Sequence, residues 1–214
     1  MLIDPQVVAT GGTIRPVNAV PTRNGQVLDV TVPRNMLACL QVVEYLRAFL
    51  SGRLGWSALK GLLLISGAFG VYRKSAVVEV GGYDSNTDTE DLELVMALHQ
   101  VNRAKGRPYR IVFVPDPVCW TEVPGNWRTL RRQRNRWHRG MLQSLSRHRK
   151  MLFNPRYGVI GMVVCPYFLL FETMGPFVET LGYISVPLAW ALGLLNTEFF
   201  VLFASAGENA LEVA

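Results

Sequence analysis

From Gly158 to Phe171 almost every side chain is apolar, and the stretch before it carries arginine at 131, 132, 134, 136, 139, 147 and 149, with Lys150. Such a run must end in a protein core or in a bilayer, whose interior takes about 20 apolar residues of helix. With Phe177 and Val178 the run reaches spanning length, although Glu172 and Pro176 interrupt it. Ile184 to Leu195, extended by Phe199 to Phe203, is a second candidate of borderline length. Glu172 and Glu179, if intramembrane, should face protein or water rather than lipid. The first segment could instead lie in the interface as an amphipathic helix. The arginines would put their side in the cytoplasm, which implies an inner (plasma) membrane location.

At 214 residues the chain can hold one domain with a sizeable core. Its net charge of +6 fits nucleic acid, anionic lipid or phosphate-bearing substrates equally well. Cys39, Cys119 and Cys165 are scattered and lack ligand spacing, which argues against a disulfide framework or a zinc site. His99, His138 and His148 likewise have no partner at metal-ligand spacing.

Upstream of residue 150, strands and helices alternate, the pattern of an α/β sheet domain. Val7 to Thr10 reads as a short strand turning at Gly11-Gly12, with one further strand at Val27 to Val32. Asn35 can cap a helix in which Met36, Leu37, Leu40, Val43, Leu46, Phe49 and Leu50 recur at helical spacing, ending near Gly52 or Gly55. Leu62 to Ile65 is short enough for a buried strand, and Gly81 to Asp84 is a turn. Glu90 to Lys105 has Leu92, Val95, Met96 and His99 on one helical face. Arg110 to Val114 reads as a strand stopped by Pro115 and Pro117, and Asn126 to about Lys150 as a long basic helix.

Two polar motifs stand out. Thr89-Glu90-Asp91 opens the central helix, where the dipole and free N–H groups orient a carboxylate. Taken alone, Thr89 reads as a helix cap followed by ordinary first-turn acids. Gln133-Arg134-Asn135-Arg136-Trp137 offers guanidinium forks suited to phosphate oxygens and an indole suited to a sugar face. The plain alternative is a basic helix on anionic lipid, with Trp137 as interfacial anchor.

In this order, and before an apolar segment, the two motifs resemble the T-E-D and Q-x-x-R-W signatures of processive family 2 glycosyltransferases, the group containing cellulose, hyaluronan and poly-N-acetylglucosamine synthases. The resemblance runs from about Val7 to Leu195 and implies an α/β fold: a partial GT-A-like (Rossmann-like) transferase domain followed by interfacial and transmembrane helices. It implies an inverting transferase that moves a sugar from a nucleotide-diphosphate donor, a UDP-sugar first, to a growing polysaccharide. Asp91 would be the base, positioned by Glu90 and Thr89. Gln133 and Arg136 would bind diphosphate, and Trp137 the acceptor. Ser66 to Arg73 resembles the small-residue segment lining the acceptor site, through Gly67, Ala68 and Phe69. Gly81 to Asp84, Asp116-Pro117 and Cys119 to Pro124 also fit the family and read as fold-supporting.

The resemblance divides the chain into an acceptor-side part of the transferase domain (1–125), the basic interface helix (126–154), membrane helices (155–204) and a polar tail (205–214). Family members hold Mg2+ or Mn2+ on a D-x-D motif, and none occurs upstream of Asp91. The expectation is therefore a C-terminal portion lacking the metal motif, inactive alone. The expected partners are a nucleotide-sugar donor, a glycan or lipid acceptor and a membrane, with no nucleic acid. A transferase adding one sugar to a lipid, and a catalytically dead subunit of an export complex, are the alternatives.

Overall fold

The computed structural model describes residues 3–196 and 198, except Ala19 and Gly25. Its chain divides into two compact units, the first ending at Leu169. Within the first, β1 (Val7–Pro16) is the middle strand of a three-stranded sheet. It pairs antiparallel with β4 (Gly70–Tyr72) and parallel with β5 (Arg110–Thr121). A small hairpin, β2 (Thr22–Arg23) with β3 (Gln26–Val27), stands apart, so the strand expected over 27–32 shrinks to its first residue.

Gly11-Gly12 does not turn the chain; β1 runs straight through it. The glycines serve close approach instead. A Cβ on Gly12 would lie 2.2 Å from the Phe69 ring, and one on Gly11 would lie 3.1 Å from Ile65. Pro115 and Pro117 do not end β5 either. The register with β1 jumps from Gly12↔Val114 to Thr13↔Val118, looping both prolines out of a ladder to which they could not donate.

Leu62, Leu63 and Ile65 are buried and Leu64 is half-buried, but the segment joins no ladder among the described residues. Its residues still organise the interior by dividing between two cores. Leu62 and Ile65 enter one core with Val8, Ala9, Ile111 and Phe113, whereas Leu63 enters a second with Met151, Ile160 and Val164. The helix α4 (Glu90–Ala104) serves both, sending Leu94, Val95 and Leu98 to the first and Leu92 and Met96 to the second.

Asn35 caps α1 (Met36–Leu46), accepting from the Ala38 N–H at 3.1 Å. The helical path does not stop at Gly52 or Gly55. It widens into a π-helical stretch (Arg47–Arg53) and ends in α2 (Leu54–Ala58). Most of the apolar stripe on this run points outward, and Ala38, Gln41 and Phe49 are the buried residues. Gln41 is held inside by donating to the Leu37 and Pro124 carbonyls. The short α3 (Lys74–Glu79) ends at Gly81 and Gly82, whose φ values of +95° and +85° make the expected turn. The basic helix α5 (Trp127–Arg147) is capped by Asn126, which accepts from the Thr129 N–H at 2.9 Å.

Where two interrupted apolar segments were expected, the described residues contain one helix, Ile160–Ala191, long and apolar enough by length and composition to cross a membrane. Pro176 sits in the first turn of its final section, Gly175–Ala191, where a missing N–H costs little. That section, in the second unit, buries none of its residues and exposes Phe177, Leu181, Ile184 and Leu188. The extension over 199–203 and the tail 205–214 lie outside the described residues.

His99 is fully enclosed, with Nδ1 2.5 Å from the Tyr109 hydroxyl and Nε2 2.9 Å from the Leu62 carbonyl. Burial pulls its pKa down to about 4, against the Leu62 hydrogen bond and with the help of Arg103. The folded chain thus keeps His99 neutral through a range in which the unfolded chain takes up a proton. Its contribution is full above about pH 6.5 and is lost as pH falls toward 4, on the order of 3 kcal/mol. His99→Gln should flatten the pH dependence of unfolding between pH 6.5 and 4 by about one proton, measured by denaturant titration. An unchanged slope would place the titration elsewhere.

Candidate functional site

Residues Thr87 to Asp91 lie between two walls: the loop Ser66–Gly70 and the helix α5. On the loop side, the Asp91 carboxylate accepts from the Gly67 N–H at 2.8 Å through Oδ2, while Oδ1 accepts from the Leu92 N–H at 2.8 Å. Asp91 is partly exposed and Glu90 exposed, so both acids open on solvent. Gly67 and Ala68 are exposed beside them. Phe69 instead turns onto Gly12, its carbonyl accepting from the Gly12 N–H, which anchors the loop to β1.

The second wall depends on a missing side chain. A Cβ on Gly140 would fall 2.3 Å from Thr89 Oγ1 and 2.5 Å from its Cγ2, so α5 crosses the start of α4 in near contact. Thr89 holds the N-cap position, yet its hydroxyl caps nothing and is buried without a hydrogen-bond partner. It is a packing surface for α5. Around it, Gln143 Oε1 accepts from the Asp88 N–H at 3.0 Å, Arg139 lies 3.4 Å from Asp88, and Arg136 Nη1 donates to the Asp88 carbonyl at 3.3 Å.

Further along, α5 is clamped to α4 by buried charge. His148 Nε2 sits 2.7 Å from Glu93 Oε1, Arg147 reaches the same oxygen at 3.6 Å, and Arg147 also pairs with Asp84. Burial pushes the Glu93 pKa up, but the His148 hydrogen bond and charge, with Arg147, outweigh it and hold the carboxyl below its ordinary value. Because α5 meets Glu93 at residue 148 and Thr89 at residue 140, the two helices run in the same direction. Trp137 and Gln133, less than one turn and two turns before Gly140 on the same face, therefore overhang the start of α4. Gln133 Oε1 is buried with no hydrogen-bond partner. Trp137 carries the Arg134 guanidinium 4.8 Å from its ring centroid, and Arg134 is itself fixed by a bidentate pair with Glu44 of α1 at 2.5 Å.

The structure thus joins Asp91 to Gly67, and Thr89 and Arg136 to the opposite wall. It records no hydrogen bond from Gln133 or Trp137 to the acidic motif. Several participants were not singled out from the sequence. Arg53 lies within reach of Asp91's charge, stacks 3.7 Å over the Phe49 ring and leaves Nη1 buried without a partner. Burial pulls its pKa down to about 10, and the charge of Asp91 opposes that fall. Tyr72, whose hydroxyl is also buried unpartnered, has its phenol pushed up by burial, then by Tyr83, Asp91 and Glu90. Neither residue has a local sequence signal. Gly140, three residues beyond Trp137, had one: a glycine inside a long helix costs about 1 kcal/mol and usually has a packing reason.

Among the described residues, no group of three or more His, Cys, Asp or Glu side chains is placed to hold a metal ion. Among the described residues, the divalent cation implied by the resemblance has no fitting ligand set.

The sequence matches glycosyl transferase family group 2 over residues 24–203. The chain belongs to that family. A poly-beta-1,6-N-acetyl-D-glucosamine synthase from Staphylococcus aureus (strain COL) is 39% identical over 108 residues, covering 50% of this chain and 24% of the relative. One of the same description from Staphylococcus epidermidis is 31% identical over 106 residues, with the same coverage. The match therefore spans about a quarter of the length of these curated relatives. A mannosyltransferase from Pyrobaculum calidifontis, solved in complex with GDP-Man and Mn2+, superposes with a TM-score of 0.58 at 17% identity, covering 98% of this chain and 49% of that one. The fold is thereby GT-A-like, as the motif order implied.

Gly140→Ala should lower the thermal midpoint even though alanine is the better helix former, because the new methyl displaces Thr89. Adding Thr89→Ala should recover part of the loss, a coupling that a double-mutant cycle reads. A stabilised single variant would show that the helices do not meet there.

Proposed function

We propose that the family 2 transferase domain to which this chain contributes moves a sugar, with inversion, from a nucleotide-diphosphate donor to a growing polysaccharide. In this reading Asp91 takes the proton of the attacking acceptor hydroxyl. That oxygen bonds to the anomeric carbon, the bond from that carbon to the phosphate oxygen breaks, and its electron pair leaves with the diphosphate. A base must lie within hydrogen-bond reach of the proton it takes. The observation that carries the reading is the Gly67 N–H on Asp91 Oδ2, which ties the acidic motif to an exposed small-residue loop where a sugar can approach backbone.

Thr89 sets the position of Asp91 through its packing on Gly140, and Glu90 adds a second exposed carboxylate at the same edge. Gln133 and Arg136 receive the diphosphate, the first through the NH2 donors of its amide and the second through an exposed guanidinium. Trp137 offers its indole to the acceptor sugar, and Gly67, Ala68 and Phe69 form the floor beneath it. The relatives' names favour an N-acetylglucosamine polymer, and hence a UDP-linked donor, over the GDP-mannose of the structural neighbour. In the same reading the protein sits at the inner (plasma) membrane with the site on the cytoplasmic side, supported by the apolar helix and the arginines before it. The chain divides accordingly into the transferase part (1–125), interface helix (126–154), membrane segment (155–204) and tail (205–214).

In the complete enzyme, Asp91→Asn should reduce transfer of radiolabelled sugar from a UDP-sugar by at least about 10²-fold, the usual scale for a general base, while membrane insertion stays intact. Retained turnover would remove Asp91 from the base role. A ladder of products would support polymer synthesis, whereas a single glycolipid would favour the one-sugar transferase.

A further inference from the structure

The helix α1 and its cap are tied to the segment 124–134 at three points, all of them polar. Gln41 donates to the Pro124 carbonyl at 2.8 Å, and Asn35 donates to the Gly125 carbonyl at 2.9 Å. Both bonds hold backbone, and both grip the turn that leads into α5. The third joins side chains. Arg134 Nη1 and Nη2 donate to Glu44 Oε1 and Oε2, each at 2.5 Å, inside the Gln133–Trp137 motif.

This pair adds little to stability. Its side chains, Arg134 and Glu44, keep 36% and 39% of their surface in water, where ion pairs contribute little. What a bidentate pair supplies is orientation, because a planar fork on a carboxylate fixes the plane of the guanidinium. That plane has a second neighbour. Arg134 and Trp137 are three residues apart on α5, so their side chains are neighbours on the helix surface. The guanidinium carbon stands 4.8 Å from the centroid of the indole ring. Among the described residues no hydrogen bond holds the half-buried Trp137 ring, so the guanidinium is its polar fixture. A cation over one face of an indole also leaves only the opposite face for a stacking sugar.

We propose that Glu44 is a positioning residue for Trp137: through the Arg134 fork, it sets the angle at which the indole meets the acceptor sugar. The inference rests on the reading that Trp137 receives the acceptor. It goes beyond that reading by giving a role to a residue of α1 that lies outside both motifs. Glu44 touches neither donor nor acceptor and acts only through Arg134. Lysine at position 134 would keep the charge and lose the fork.

The full chain in detergent micelles, labelled with fluorotryptophan, reads the indole directly by fluorine NMR. The Trp137 resonance is identified by its loss in Trp137→Phe. Glu44→Gln and Arg134→Lys should each shift or broaden that resonance and leave the Trp190 resonance in place. Kinetics in the complete enzyme follow, with UDP-N-acetylglucosamine as donor and a short oligomer of that sugar as acceptor. There Glu44→Gln should raise the acceptor KM about threefold, with donor KM and kcat unchanged. Exchanging the pair, Glu44→Arg with Arg134→Glu, separates positioning from clamping. The exchange should recover the thermal midpoint lost in Glu44→Arg alone, while the acceptor KM stays raised, because a carboxylate cannot replace the guanidinium on the ring. A Trp137 resonance unmoved by Glu44→Gln, an acceptor KM unchanged in that variant, or an exchange that restores the acceptor KM would overturn the inference and leave the acceptor reading standing. An acceptor KM unchanged in Trp137→Ala would overturn the acceptor reading, and the inference with it.

Discussion

Gly140 leaves empty the space that Thr89 fills, and the geometry of the candidate site follows from that contact. A methyl there would meet the threonine at 2.3 Å, far inside van der Waals contact, so only glycine lets α5 lie this close to the first turn of α4. The approach brings Arg136 and Gln143 onto the Asp88 backbone and leaves Gln133 and Trp137 overhanging the helix start. The His148–Glu93 pair fixes the other end of the same contact, so α5 cannot swing about Gly140. Such a pair is costly to bury and costlier to break, because removing one partner strands the other. Here it sets the relative position of the two helices that carry the acidic and the basic motif.

Much of this was legible in the sequence, because the signals were local. Asn35 caps the helix it was expected to cap, the basic helix begins at Asn126 as expected, and the α4 face of Leu92, Val95, Met96 and His99 is buried as its spacing required. The acidic and basic motifs fall on the helices expected for them. The misreadings share a physical cause: each depended on what a residue meets across the fold. Gly11-Gly12 has the composition of a turn, yet its glycines exist because Phe69 and Ile65 press on β1. Pro115 and Pro117 should stop a strand, but a register jump removes them from the ladder. The stripe on α1 has the spacing of a core-facing helix, while Ala38 and Gln41 are what the helix buries. Periodicity shows that a face is apolar without saying what lies against it.

The buried polar groups form a second class that sequence could not reveal. His99 is shut between Tyr109 and the Leu62 carbonyl, Glu93 is met by His148 from a distant helix, and Arg53 faces the charge of Asp91 from the end of the π-helical stretch. His99 and Glu93 have no side-chain hydrogen-bond partner within a turn or two of sequence, and Arg53 has the Phe49 ring there. Each is also a place where polar atoms left water, and Arg53, Tyr72 and Gln133 each keep one buried atom unpaired. Unpaired buried polar atoms are uncommon and call for a reason. Arg53 and Tyr72 both feel the charge of Asp91, and Gln133 lies on the α5 face that overhangs the same edge.

The most direct test of the account is a ligand-bound structure of the complete enzyme with a nucleotide diphosphate and an acceptor glycan. The account predicts diphosphate oxygens on Gln133 and Arg136, an acceptor sugar stacked on Trp137, and its attacking hydroxyl within hydrogen-bond distance of Asp91. A diphosphate bound away from α5, or an acceptor hydroxyl facing a carboxylate other than Asp91, would contradict it.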